Sequence, residues 1–428
     1  MKPVLQVALD FVDLSRAIKC AEESARGGID WLEAGTPLIK SEGLNAVRKL
    51  REKFPAKTIV ADMKIMDAGR TEVEIAAKSG ANIVCVLGAA SDATIKECVD
   101  AARNYGAKIQ VDLIAIKDAK KRAIEVEKLG VDYIGVHCPI DDQMRGKDPF
   151  RELKDIARHV TIPIAVAGGI NSETAADAVK AGASIIIVGG AINKSKDAKK
   201  AAEEIKRSIN QLKKIKTELF KRGSEKDIAK ILMKVSASNL SDAMHRQGAL
   251  KDIISVNPGL KMCGQALTVR TYPGDWAKPV EAIEMAEEGQ VIVIDAGGVG
   301  PAIWGELATH GAIQKKLAGV VIDGAIRDVK EIRSLKFPAF AKIISPSAGE
   351  PKGFGEIGVS VNVGCARIFS GDWILGDDDG VVVVPKDRAV EFANRAMSVM
   401  ETENRLRKEI DEGSTLSKVT ELLKWEKK

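Results

Sequence analysis

Eight short runs of aliphatic and β-branched residues punctuate the first two hundred residues of this chain, and each is followed by a stretch with helical patterning. The runs are Val4 to Leu9, Ile29 to Leu32, Thr58 to Ala61, Ile83 to Leu87, Ile109 to Val111, Tyr133 to Val136, Ile162 to Val166 and Ile185 to Val188. Strands that alternate with single helices belong to a parallel sheet, because parallel neighbours need a long crossover between them. A doubly wound open sheet uses the same local grammar, but more often with five or six strands. The count of eight therefore predicts an α/β fold whose N-terminal part is a closed (β/α)8 TIM barrel. Within it, Thr71 and Glu74 predict a capping box on a helix ending at Lys78, with Gly80 as the stop.

The chain has 428 residues, which at about 150 residues per domain predicts two to three units. Residues 195–226 are rich in Lys, Ala and Glu and read as a closing helix that runs into a basic connector ending near Gly223 and Ser224. The expected division is a barrel over 1–210, a basic helical linker over 211–226 and a second domain over 227–428. In that second part the grammar changes. Helices are expected over Asp227 to Val235 and Ser238 to Arg246, and a charged helix from Arg388 to Lys408 and beyond. Short β-runs are expected at Gln265 to Arg270, Val291 to Asp295, Val320 to Asp323, Val359 to Val363 and Trp373 to Val384. Such mixed strands predict a compact, layered α/β domain of swivelling type rather than a second barrel.

Hydrophobic residues make up 45% and charged residues 29% of the chain, which excludes wholesale disorder and fibrous repeats. The apolar runs fall far short of the ~20 residues of a membrane span. The start lacks a basic region and a small-residue cleavage site, so no leader and a cytoplasmic location are expected. Cys20, Cys85, Cys98, Cys138, Cys263 and Cys365 contain no C-x-x-C pair, which argues against a zinc site or a disulfide frame. Net charge is +5, yet residues 206–226 hold eight basic and two acidic side chains. That leaves −1 elsewhere, so neither a nucleic-acid-binding face nor a membrane partner is expected.

In a parallel barrel the C-terminal strand ends form the active face. The residues following the eight runs are Asp10, Glu33, Asp62 with Lys64, Gly88, Asp112, His137, Gly168 with Gly169, and Gly189 with Gly190. Strand alternation sends Asp62 and Lys64 to the same side. Asp67 lies up to ~17 Å farther along an extended chain and is expected to reach outward, toward a neighbouring subunit. A lysine between two carboxylates is held charged, which makes Lys64 an electrostatic stabiliser rather than a Schiff-base amine. Glu33 and Asp62 on adjacent strand ends suit Mg²⁺, a hard cation that keeps most of its waters. The paired glycines let backbone N–H groups approach a phosphate, so a phosphorylated sugar is the expected substrate. His137 is a proton carrier candidate, whereas His159 and His245 read as surface or packing residues.

Residues 1–210 resemble 3-hexulose-6-phosphate synthases of the orotidine monophosphate decarboxylase superfamily. The motifs are Val7-Ala8-Leu9-Asp10, Glu33-Ala34-Gly35-Thr36-Pro37, Asp62 through Gly69, Val136-His137 and the two glycine pairs. The resemblance implies condensation of formaldehyde with D-ribulose 5-phosphate, with Mg²⁺, and the reverse retro-aldol. It implies that Glu33 and Asp62 serve the metal and the enediolate, that Lys64 stabilises the enediolate, and that Asp67 enters a neighbour's active site in a dimer. Asp10, Asp112 and His137, from the strand ends, are the further catalytic candidates. The alternative within the superfamily is 3-keto-L-gulonate 6-phosphate decarboxylase.

The second domain carries Asp295-Ala296-Gly297-Gly298, Trp304-Gly305-Glu306-Leu307 and Asp323-Gly324-Ala325-Ile326-Arg327-Asp328. Glycines before a helix start at Gly305 suit an anion; Arg327 can grip a carboxylate, and Asp328 offers a hard oxygen ligand for a metal. The G-x-G-x-x-G match from Gly353 to Gly358 is followed by a strand, not a helix, and is not a dinucleotide site. Residues 235–410 resemble the regulator-of-ribonuclease-activity-A family, which includes 4-hydroxy-4-methyl-2-oxoglutarate aldolases with oxaloacetate decarboxylase activity. Glu306 and Arg327-Asp328 reproduce its acidic-to-Arg-Asp spacing. The resemblance implies trimer contacts, and it leaves two classes open: a Mg²⁺-dependent aldolase or decarboxylase, and a non-catalytic protein-binding regulator.

Overall fold

The computed structural model describes residues 2–218 and 220–422. The expected domain limits at residue 1 and over 423–428, and Leu219 of the expected linker, lie outside the described residues. The chain forms two compact units, one built from residues up to Arg222 together with those from Glu401 onward, the other from Gly223–Met400.

In the first unit β1 (Val4–Leu9), β2 (Trp31–Ala34), β3 (Thr58–Ile65), β4 (Ile83–Leu87), β5 (Lys108–Asp112), β6 (Tyr133–His137), β7 (Ile164–Ala167) and β8 (Ile185–Val188) follow one another around a closed barrel. All pairings are parallel, including the closing pair of β1 and β8. Alternation decides which side chains go where. On β1, Leu5, Val7 and Leu9 face outward into the core beneath the helices, each burial contributing about 1.5–3 kcal/mol. Val4 and Ala8 belong to the inner cluster with Trp31, Val60, Ile83, Cys85, Tyr133, Ala165 and Ile187. Continuing the same period upward brings Asp10, Glu33, Asp62, Asp112 and His137 to the inner rim.

Three expectations need correction. The capping box at Thr71 does not form: the helix begins at Gly69, after a left-handed Ala68 with no side-chain cap. Thr71 is then already inside the first turn, where its hydroxyl is no longer the capping group. Nor is the connector helical. The helix Ala198–Gln211 ends on left-handed Leu212, and the chain then lies extended against the loop after β7. There Ile215 N–H donates to Ser172 O at 3.0 Å, Thr217 N–H donates to Glu173 Oε1 at 2.8 Å, and Lys214 and Lys221 pair with Asp177 and Glu173. Its basic residues answer acids of the barrel, and this holds it as a strap.

Third, the last part of the helix Ala389–Asp411 belongs to the first unit rather than to a domain running to the C-terminus. Its Glu401, Arg405 and Glu409 are buried. Arg405 donates to Glu23 (2.7 and 3.1 Å) and to Glu409 (2.9 Å), and Glu409 also accepts from Arg16 at 2.9 Å. Charges four residues apart share one helix face, and here that face is the buried one.

The second unit contains β9 (Ile254–Ser255), β10 (Met262–Thr271), β11 (Val291–Asp295), β12 (Ala302–Trp304), β13 (Gly319–Ile326), β14 (Ala339–Ile344), β15 (Gly355–Ile357), β16 (Val361–Val363), β17 (Ala366–Ile368), β18 (Trp373–Asp377) and β19 (Gly380–Val384). The main sheet runs β19-β18-β10-β11-β13-β14-β9, with β12 beside β13 and β15 beside β10. An antiparallel bridge between Ala249 and Val382 brings the stretch before β9 to β19, so the sheet nearly closes on itself. Val291, Val293 and Val321 pack on one face with Phe340 and Ile374. Ile292, Ile294 and Ile322 pack on the other with Ala282 and Ile332. Both faces are covered, as parallel strands require. Among the described residues no helix is long and apolar enough to cross a membrane.

Candidate active site

A cavity of about 940 Å³ opens at the C-terminal strand ends of the barrel. Asp10, Glu33, Asp62, Lys64, Asp112, His137, Gly168, Gly169, Gly189 and Gly190 all line it. Gly88, the remaining strand-end residue, does not, and Asp67 is exposed outside it.

Lys64 reaches the cavity by a route that simple alternation misses. The β3–β4 register shifts between Ala61 and Ile65, and Lys64 itself is left-handed with φ of 48°. That is a strained conformation for a residue with a Cβ, and such strain collects at functional sites. Its Nζ donates to Asp62 Oδ1 and Oδ2 at 3.1 and 3.0 Å and to Asp112 Oδ2 at 2.9 Å. The second carboxylate beside Lys64 is thus Asp112, not Asp67. Burial works against the charge, but Asp62 and Asp112 outweigh it and hold the ammonium above the ordinary lysine range.

Asp112 Oδ2 also lies 3.0 Å from His137 Nδ1, and its Oδ1 accepts the Ile114 N–H at 2.9 Å. Burial opposes ionisation of this carboxyl, yet the hydrogen bond and charge of His137 and the Lys64 ammonium bring it down to about 2. An ionised carboxylate only accepts, so the His137 Nδ1 carries the proton and Nε2 is left to exchange one.

Across the mouth, burial and the neighbouring Asp62 push Asp10 up to about 6. Burial, then Asp62 and Asp10, push Glu33 well above the carboxylate range. Gln6 Nε2 donates to Glu33 Oε2, and Thr36 Oγ1 lies 2.7 Å from Asp62 Oδ2. Asp10 and Glu33, each pushed up in part by neighbouring negative charge, stand beside the buried Asp62, and such a carboxylate set fits a divalent cation, which would relieve the repulsion. Among the described residues no group of three or more His, Cys, Asp or Glu is arranged around one metal position. Glu33 and Asp62 are the two residues that could hold a cation, and two carboxylates suit one that keeps several waters.

At the opposite side of the mouth, Gly168 has φ of +114° and a Cβ there would lie 2.7 Å from the Cys138 carbonyl oxygen. Only glycine holds this turn.

The second unit gathers its own candidates at the start of the helix Glu306–Gln314. Asp328 Oδ2 accepts the Glu306 N–H at 3.1 Å and lies 3.4 Å from Arg327 Nε. A Cβ at Gly305 would come within 2.4 Å of that same oxygen. The Glu306 carboxylate stands 3.7 Å from His310, and Leu307 is 83% exposed. Gly305, Glu306, Arg327 and Asp328 thus meet, but Asp328 acts as a helix cap paired to its neighbour.

The model of the orotidine 5'-phosphate decarboxylase / HUMPS family matches residues 3–205. The 3-hexulose-6-phosphate synthase of Bacillus subtilis (strain 168) is 43% identical over 208 residues, which span 48% of this chain and 99% of that protein. The chain belongs to the 3-hexulose-6-phosphate synthase family. Its barrel is a carbon–carbon lyase of the aldehyde-lyase class. A solved 3-hexulose-6-phosphate synthase from Salmonella typhimurium is 36% identical, covering 50% of this chain and all of that one, with a TM-score of 0.48. The Aldolase/RraA model matches residues 237–383, so a second family is fused to the synthase-family barrel. There, the RNA-processing inhibitor RraA from Thermus thermophilis is 28% identical, covering 35% of this chain and 92% of that one, with a TM-score of 0.33.

Sequence reasoning missed several residues around the synthase-family cavity. Gln6, one alternation below Ala8, and Thr36, inside the Glu33 motif, were within reach of the strand period. Phe220, Arg222, Thr402, Arg405 and Glu421 also line the wall. These lie outside the matched residues and carry no local motif.

Proposed function

We propose that the barrel condenses formaldehyde with D-ribulose 5-phosphate to D-arabino-hex-3-ulose 6-phosphate, and catalyses the reverse retro-aldol. The observation that carries this reading is Lys64, an ammonium fixed within 3.1 Å of both Asp62 and Asp112, with His137 on the same Asp112 carboxylate. Loss of a proton from C1 of the ketose makes an enediolate. Charge developing on oxygen there is offset by a preorganised cation, usually the largest catalytic term. The C1 carbanion then adds to the carbonyl carbon of formaldehyde, whose oxygen takes a proton to become the new hydroxyl. His137 Nε2 is the group to receive the first proton and return one, with Asp112 fixing the ring's tautomer.

Glu33 and Asp62 would hold Mg²⁺, which supplies further positive charge beside the enediolate oxygens when bound. The paired glycines receive the phosphate. Asp67, exposed on its own barrel, is suited to complete a partner's site in a homodimer. Purified protein with ribulose 5-phosphate, formaldehyde and Mg²⁺ should consume formaldehyde, and K64A should not. Loss of CO₂ from keto-L-gulonate 6-phosphate without formaldehyde consumption would install the decarboxylase reading instead.

For the second unit we favour the non-catalytic regulator, because Asp328 Oδ2 already accepts the Glu306 N–H and pairs with Arg327. This unit would make the contacts of a trimer. Mg²⁺-dependent pyruvate release from oxaloacetate, lost in R327A, would replace it with the decarboxylase reading.

A further inference from the structure

Part of the cavity wall is built by the strap and by the end of the last long helix, both beyond the residues that match the synthase family. Arg222 lines the cavity together with Lys194 and the Gly189–Gly190 pair. Its side chain is only 16% exposed, and the Glu401 carboxylate that pairs with it is fully buried. Nη1 and Nη2 of Arg222 donate to the two oxygens of Glu401 at 3.2 and 3.0 Å. The same Glu401 accepts the Phe220 N–H at 2.6 Å, so one carboxylate fixes both the guanidinium and the backbone of the strap. Lys194 is half-buried; its loss of solvent and then the nearby Arg222 lower its pKa, against the opposing pull of Glu401 and Asp10.

A buried ion pair is weak evidence for stability, since desolvation consumes most of its attraction. A second, half-buried cation near the guanidinium, Lys194, raises the cost further. An anion in the cavity would reverse that balance, and a phosphate monoester carries close to two negative charges at neutral pH. A guanidinium presents several N–H donors in a plane that matches phosphate oxygens.

We propose that Arg222 binds the phosphate of the substrate beside the glycine pairs and Lys194, with Glu401 as its positioning residue. The barrel's grip on a phosphorylated ketose then depends on two segments outside the family-matched region. This rests on the phospho-ketose reading of the cavity.

The test uses the full chain. In R222Q, KM for ribulose 5-phosphate should rise about ten- to a hundredfold, with kcat changing far less, as loss of a charge-assisted contact to a bound group implies. Affinity for inorganic phosphate, read by calorimetry, should weaken in parallel. E401Q should give a smaller rise in the same constant, and R222K should recover part of the loss. A folded R222Q with unchanged KM and phosphate affinity, or one that loses only kcat, would overturn the assignment. If R222Q does not fold, R222K is read alone: a several-fold rise in KM and weaker phosphate binding support the assignment, and wild-type values sink it. Wild-type protein that binds inorganic phosphate through Arg222 yet makes no hexulose phosphate would count against the reaction and leave this site standing.

Discussion

Replacing Asp112 with Asn tests the charge arrangement at the barrel mouth. The carboxylate is 5% exposed and receives Lys64 Nζ at 2.9 Å and His137 Nδ1 at 3.0 Å on one oxygen. Asn keeps the shape and a carbonyl acceptor but loses the charge. Each contact is charge-assisted, at ~1.5–3 kcal/mol against about 1 kcal/mol for a neutral bond. The two together therefore lose about 1–4 kcal/mol of positioning, or about 5- to 900-fold in kcat. Formaldehyde consumption at saturating ribulose 5-phosphate reads this directly. Stability gives a second measure. The folded carboxyl sits at about 2 against an ordinary 3.8, so its ionised form strengthens the folded unit. That contribution is complete above the ordinary value and disappears as pH falls through about 2. The interval is worth about 2–3 kcal/mol, so D112N should unfold at lower urea than wild type at pH 7, with the gap closing toward pH 2. A D112N enzyme within threefold of wild-type kcat, or equal to wild type in urea at pH 7, would show that Asp112 does not organise Lys64 and His137.

Chelation should lower synthase turnover and Mg²⁺ should restore it, with D62N and E33Q needing more Mg²⁺ for half-maximal rate; chelator-insensitive turnover would remove the cation from the mechanism. Mixing inactive K64A with inactive D67A should restore about a quarter of wild-type activity if a two-fold dimer shares sites, since each mixed dimer keeps one intact centre; absence of recovery after subunit exchange would place Asp67 outside the partner's site. R405A leaves the buried Glu23 and Glu409 carboxylates without their shared guanidinium and should destabilise the first unit by about 3–5 kcal/mol, measured by urea unfolding; a change below about 1 kcal/mol would mean water replaces the guanidinium freely.

The barrel was legible because eight aliphatic and β-branched runs alternate with single helical stretches, and β1, β4 and β8 have the expected limits. The rim residues followed as the positions just after those runs. What escaped was long-range or irregular. Lys64 owes its position to a register shift and a left-handed backbone, and its second carboxylate comes from β5, which no local pattern joins to β3. The stripe Glu401, Arg405 and Glu409 reads as a solvated face because charge usually marks one, yet here Arg405 and Glu409 pair with each other and with Glu23 and Arg16, and Glu401 pairs with Arg222. In the second unit, β12 has three residues and β9 two, too short for periodicity to register. The meeting of Gly305 with Asp328 was legible as a motif, but the capping role of Asp328 was not, because it depends on where Glu306 starts its helix.

Because residues from Glu401 onward join the same unit as those before Gly223, the regulator-like part is an insertion rather than an appendage. A ribosome making ~5–20 residues per second takes on the order of ten to thirty seconds to pass Gly223–Met400. During that time the nascent barrel lacks the buried partners of Glu23, Arg16 and Arg222. A single protease cut between the units would therefore not free either part, and clean excision requires two.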